Sequence, residues 1–201
     1  MIGHGPKEGL SIGRFGDTRW DDLAGSLIAA RLDIASGRLH YDYFNGGVIM
    51  DSNARYPDEP IVMALQFKHA MRYGAGAVLR PHLHWLQQQS AMPNFLIGYK
   101  KVAQGAATTF EVDFSNFTLL HIPTNVFTYT SGTLVQITKF AEIDASDLNL
   151  SSQVTFVLFR DTANVSGLFS GVDPVAADVT VLYQDQHVLL DSTGSSQEYA
   201  K

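Results

Sequence analysis

Two histidines spaced i, i+2, His82 and His84, lie in the run Arg80-Pro81-His82-Leu83-His84-Trp85. In a strand, alternate side chains share a face, so the two imidazoles project side by side, about 6–7 Å apart. Leu83, Trp85 and Gln87 take the opposite face. Such a pair can bind a metal, act as a catalytic base or form a polar stripe that orders a sheet. A cupin-like metal site needs a third histidine and a carboxylate as well. His69, His121 and His187 are the candidates for the third histidine. Positions 86–92 read Leu-Gln-Gln-Gln-Ser-Ala-Met, with no Glu at cupin spacing. That absence counts against a metal, and no metal or cofactor is expected; His82, His84 and His187 are the residues that would hold one.

His187 sits between Asp185 and Asp191. If the segment 178–190 runs beside 78–88, His187 joins His82 and His84 in one polar cluster. At a subunit contact such a cluster is a pH-sensitive joint, since small shifts move histidine across neutrality. The alternative is a set of separate surface histidines. Other chemistry is poorly supplied. Ser26, Ser115 and Ser170 lie outside any Gly-x-Ser-x-Gly elbow. Asp21-Asp22 and Asp58-Glu59 are adjacent in sequence, diverge in an extended chain and read as solvated loop charges. No phosphate-binding loop or dinucleotide glycine fingerprint is present. Asn164-Val165-Ser166 matches a glycosylation sequon, a pattern common by chance. The sequence does not read as an enzyme.

The elements that must position these residues are strands. Leu39, Tyr41 and Tyr43 alternate against His40, Asp42 and Phe44 before a turn at Asn45-Gly46-Gly47 and the strand Val48-Ile49-Met50. Ile28 to Ile34 reads as extended. Ile61, Met63, Leu65 and Phe67 share a face, as do Phe95, Ile97 and Tyr99. Further strands are expected over 110–122, 127–130, 134–143, 153–160 and 178–190. In the last of these Val179, Val181 and Tyr183 are expected on one face. Pro81 removes a ladder donor, which predicts an edge position or a bulge there. This yields roughly eight to ten short strands and no convincing helix. The expected fold is all-β: an antiparallel β-sandwich, jelly-roll-like, over residues 20–191. A closed barrel is second. Residues 1–19, punctuated by five glycines, form an expected N-terminal arm with no apolar signal core, and 192–201 a polar C-terminal tail.

Composition narrows the partners. The 201 residues carry a net charge of −6 and only 17% charged residues. An acidic chain without clustered Lys and Arg does not bind nucleic acid. No apolar run approaches the ~18 residues of a membrane span. There are no cysteines, hence no disulfides, thiolate sites or Cys nucleophile. Low charge with 45% hydrophobic residues fits either an ordinary all-β domain or an oligomer whose neighbours cover much of its surface. Twelve phenylalanines and eight tyrosines suit core or interface packing.

The ordered set Trp20-x-Asp22-Leu23, Phe67-Lys68-His69 with Tyr73-Gly74, Arg80 to Trp85, Phe159-Arg160-Asp161, and His187 with Asp191-Ser192-Thr193-Gly194-Ser195 resembles a family of tailed-bacteriophage virion proteins. The Pro-His-x-His-Trp centre is its specific part. Lys68-His69 replaces the family's usual Pro-His pair, and Gly74-Ala75-Gly76 its Gly-Ser. The resemblance implies a virion structural component, assembled in the host cytoplasm: a capsid decoration (cement) protein, or a collar or tail component. It implies as partners a second copy of the chain, as a trimer by analogy with other decoration proteins, and the major capsid protein or other virion proteins. Trp20, His69, Arg80, Pro81, His82, His84, Trp85, Arg160 and His187 are then structural or interface residues. A host-glycan-binding module and a cupin-like metalloenzyme are the readings from other classes.

Overall fold

The computed structural model describes residues 19–25, 31–32, 39–42, 44–66, 71–106, 116–121 and 134–190. Among them run twelve strands: β1 (Arg19–Gly25), β2 (Arg31–Leu32), β3 (Leu39–Asp42), β4 (Gly47–Met50), β5 (Ile61–Gln66), β6 (Val78–Gln87), β7 (Phe95–Val102), β8 (Thr118–His121), β9 (Leu134–Lys139), β10 (Ile143–Asp144), β11 (Gln153–Arg160) and β12 (Val179–Leu190). They form two antiparallel sheets, so the chain is an all-β sandwich. One sheet contains the order β4-β12-β6-β9, the other β5-β11-β7-β8. These eight strands are wound as a jelly roll, the doubled Greek key that removes most free edges. β1 extends the first sheet along β12, β3 pairs β4, and β2 pairs β5.

Alternation explains which faces meet. Val48, Met50, Leu83, Trp85 and Val181 turn inward from the first sheet onto Phe95, Ile97, Phe156 and Leu158 of the second, all fully or almost fully buried. Each such side chain contributes about 1.5–3 kcal/mol on burial. The Trp85 ring meets Phe95 edge-on at 5.5 Å, and its Nε1 donates to Thr138 Oγ1 at 2.8 Å, so the indole is buried without stranding its donor. The outer face of the second sheet has its own cover, in which Leu96, Val157 and Phe159 pack with Phe169 from the loop after β11.

Arg160 organises that loop. Its guanidinium is wholly buried at the end of β11. Nε donates to Asp173 at 2.8 Å, Nη1 to the carbonyls of Met50, Asp51 and Ala177, and Nη2 to that of Val175. Asp161 accepts from the amides of Val165 and Ser166. The Arg-Asp pair therefore ties the loop of residues 161–178 to the end of β4. Asn164, the sequon residue, donates its side-chain amide to Phe169 O at 2.9 Å and accepts from Phe169 N.

Of the edge or bulge expected at Pro81, the structure shows the irregularity and not the edge: β6 is an interior strand, with β12 on one side and β9 and β10 on the other, and the register on the latter side shifts by one residue between Leu79–Ile143 and His82–Lys139. Pro81 is accommodated because β10 pairs only Val78 and Leu79 while β9 begins pairing at His82. The missing donor falls at the gap between them, where Phe140 N donates to Pro81 O at 3.0 Å. Three other expectations need correction. The strand expected over 134–143 is broken after Lys139. Tyr183 does not share the face of Val179 and Val181, because β12 carries a bulge between Val181 and Tyr183. Finally, Asp22 lies within β1, not in a loop. Of the arm expected over residues 1–19, Arg19 opens β1; residues 1–18, His69, the strand expected over 127–130 and the tail 192–201 lie outside the described residues.

Candidate histidine–carboxylate site

The site is built by register. β6 sends Leu79, Leu83 and Trp85 inward, which leaves Arg80, His82 and His84 on the outer face of their sheet. In β12, Val179 and Val181 point inward; strict alternation would also bury Asp185 and His187 in the apolar core. The bulge reverses the phase. Beyond it Gln184, Gln186 and Val188 are inward, and Tyr183, Asp185 and His187 stand outward opposite His84, His82 and Arg80. Gly47 makes room for this bulge: a Cβ there would lie 2.2 Å from Val181 O. The phase change has a cost, for the inward amides of Gln184 and Gln186 are buried with no hydrogen-bond partner among the described residues. β1 completes the site by pairing Asp22 with His187.

The rings pack as two pairs. His82 lies against His187 with centroids 4.0 Å apart, and His84 stacks on Tyr183 at 4.0 Å with an interplanar angle of 19°. His82 and Asp185 are buried, 2% and 4% exposed, and His84 nearly so. His187 is half-buried and Asp22 exposed. Asp22 Oδ1 lies 2.8 Å from His187 Nε2, Asp185 Oδ1 lies 3.2 Å from His84 Nε2, and Asp185 Oδ2 lies 3.9 Å from His187 Nε2. His82 Nδ1 and Asp185 Oδ1 are buried without a hydrogen bond, since the approach of Asp185 to His84 lacks hydrogen-bond geometry. Burial lowers the His82 pKa, with the neighbouring His187, Lys139 and His84 adding to the effect and Asp185 opposing it. A cavity of about 270 Å³ adjoins the cluster, lined by Arg80, His82, Lys139, Phe140, Glu142 and His187. Arg80 pairs with Glu142 at its rim.

Of the residues singled out from sequence, Arg80, His82, His84 and His187 converge here. Trp85 and Pro81 serve the same strand from within the sandwich and at the gap between partners. Arg160 belongs to the other sheet, and its complete burial makes it a loop staple rather than a surface contact. His121 is also on the other sheet, its ring against Phe169 at 5.7 Å. Trp20 aligns with Leu189 in β1, its side chain outside the described residues. Sequence reasoning missed Tyr183 and the role of Asp22. Asp185 was legible, since its i, i+2 spacing to His187 puts both on one face.

This arrangement can do two things chemically. It can pin β1, β6 and β12 together, or chelate a cation between imidazole and carboxylate donors.

No protein-family model matches the sequence, and no curated protein matches it. Among solved structures, TmCBM61, determined in complex with beta-1,4-galactotriose, aligns over 92% of this chain and 94% of its own, at 15% identity and a TM-score of 0.30. A likeness that slight carries no argument about ligand or activity, so the reading of this chain rests on its own residues.

Proposed function

We propose that the chain is a structural subunit of a tailed-bacteriophage particle, a capsid decoration protein that acts by binding and not by turnover. One observation supports the reading above the others. The separate pieces of the motif set that resembles the phage virion family, Asp22 of the Trp-x-Asp-Leu start, the Pro-His-x-His-Trp centre and the late His187, lie on three adjacent strands and meet in one joint. Motif residues spent on joining strands suit a subunit whose role is mechanical. The jelly roll itself does not discriminate, because the fold also serves lectins and cupins. The space between the sheets is filled by Trp85, Phe95 and Phe156, which leaves the histidines on an outer face instead of in a closed substrate chamber.

Decoration of a capsid lattice is binding repeated by symmetry, in which many shallow contacts add avidity without any single strong site. Self-association, as a trimer, would use the exposed apolar side chains of the first sheet. The test is quantitative mass spectrometry of purified particles carrying the protein. A copy number that follows the capsid lattice is expected. A number set by a single vertex would place the subunit at the collar or tail, and absence from particles would end the proposal.

A further inference from the structure

We propose that the joint of β1, β6 and β12 binds one late first-row divalent cation of the zinc type, with His82, Asp185 and His187 as ligands. One ligand atom from each of these residues lies within 4.8 Å of the others. Two imidazoles and one carboxylate are a donor set suited to Zn²⁺ and its neighbours rather than to Mg²⁺ or Ca²⁺, which prefer oxygen. Zinc bonds of about 2.0–2.1 Å require ligand atoms roughly 3.4 Å apart, so movements on the order of 1 Å close the set.

A second, independent observation points to a ligand. His82 Nδ1 is buried without a hydrogen bond on a residue only 2% exposed, and Asp185 Oδ1, on a residue 4% exposed, has no more than the 3.2 Å approach of His84 Nε2. Buried polar atoms of native proteins are nearly always satisfied, and an orphan nitrogen on a candidate ligand calls for a partner. A cation offsets the burial of the carboxylate and draws the two rings onto one centre. The surroundings favour it. Asp22 adds a further carboxylate beside the set, its Oδ1 2.8 Å from the His187 Nε2 that also faces Asp185 at 3.9 Å. Asp22 and Asp185 supply two negative charges against Lys139, while Arg80 is paired with Glu142. The adjoining cavity gives the ion an entry path and room for water as the remaining ligand. The sequence argument against a metal was the missing Glu after the His-x-His pair; the carboxylate comes instead from the facing strand, at Asp185.

The bound ion would cross-link β6 and β12, with Asp22 of β1 held against its ligand His187, and it would stabilise the fold by mass action. The test uses the full-length protein stripped with EDTA, titrated with Zn²⁺ by calorimetry and followed by thermal unfolding. One saturable equivalent is expected, with a Tm that rises with Zn²⁺ concentration. His187→Gln and Asp185→Asn should lose both responses, while His40→Gln, on β3, keeps both. Should Asp185→Asn fail to fold by circular dichroism, His187→Gln, a change at a half-exposed ring, decides alone. The proposal is overturned by the absence of saturable binding to the unaltered protein, or by a His187→Gln variant that binds and responds like it. An equal response to Mg²⁺ would overturn the assignment to a zinc-type ion.

Discussion

Arg160 shows how one side chain can hold a long loop. Its donors reach five acceptors spread over β4, its following residue and the loop of residues 161–178. Removing it strips the buried Asp173 charge of its counter-ion and takes a donor from each of four carbonyls. Arg160→Met is expected to cost about 3–5 kcal/mol in urea unfolding, and the paired change with Asp173→Leu to recover part of it. Asp42 acts on a smaller scale. Its carboxylate accepts from the Asn45 side chain at 2.7 Å, from the Phe44 and Asn45 amides, and from Thr180 Oγ1, which closes the β3–β4 turn. Those bonds, with the Asn45 side chain foremost, lower its pKa below the ordinary 3.8, against the opposing effect of burial. The unfolded chain therefore binds the proton first. The stabilisation is complete above pH 3.8 and is lost as the pH falls through the folded-state value. Thermal unfolding from about pH 5 down to about pH 3 should show a steeper acid loss for the unaltered protein than for Asp42→Asn. The role of Arg160 was not legible beforehand, since its acceptors are remote in sequence; Asp42 takes most of its donors from Phe44 and Asn45, two and three residues on, and only Thr180 from afar.

Among the elements, β12 carries the most information and was the least completely read. Its two halves are each plainly alternating, so its existence as a strand was evident from Val179, Val181 and the later Val188 and Leu190. The bulge between the halves was not, because a phase change in the middle of a strand has no local marker beyond the polar Gln184 and Gln186 falling where apolar residues belong. β6 was read correctly as to faces, while its place stayed open. Proline argued for an edge or a bulge, and only tertiary pairing shows two short partners sharing one side of the strand with a one-residue shift between them. Deleting Leu182 tests the bulge. With that residue gone, strict alternation from Val181 leaves Tyr183, Asp185 and His187 outward, so the shortened chain is expected to keep its fold and cooperative unfolding by circular dichroism; loss of cooperative unfolding would show that the extra residue itself is required.

For the whole molecule, the fold class and the grouping of His82, His84 and His187 were legible because they follow from period-two patterning and from one assumption about which strands are neighbours. The loop cover of the second sheet was not, since it is assembled from residues that show no periodicity. One exposed feature bears on assembly. Val135 and Ile137 of β9 stand 59% and 57% exposed on the outer face of the first sheet, and Tyr183 across β6 is 41% exposed. If self-association uses this face, Val135→Lys combined with Ile137→Lys should yield monomers by light scattering that keep the β-sheet circular dichroism of the unaltered protein. An unchanged oligomer would move the contact elsewhere.

The position of β12 also governs how the chain can fold. It is the last of the described strands, yet it lies between β6 on one side and β4 and β1 on the other. Until it is made, β1 and the β3–β4 hairpin have no sheet to join, and Asp22 has no His187 to meet. Such pairing between remote segments closes large loops before it gains contacts, and it makes folding slow. The histidine joint is therefore a marker of completion: its donors converge only when the strand nearest the end of the fold has entered the middle of the sheet.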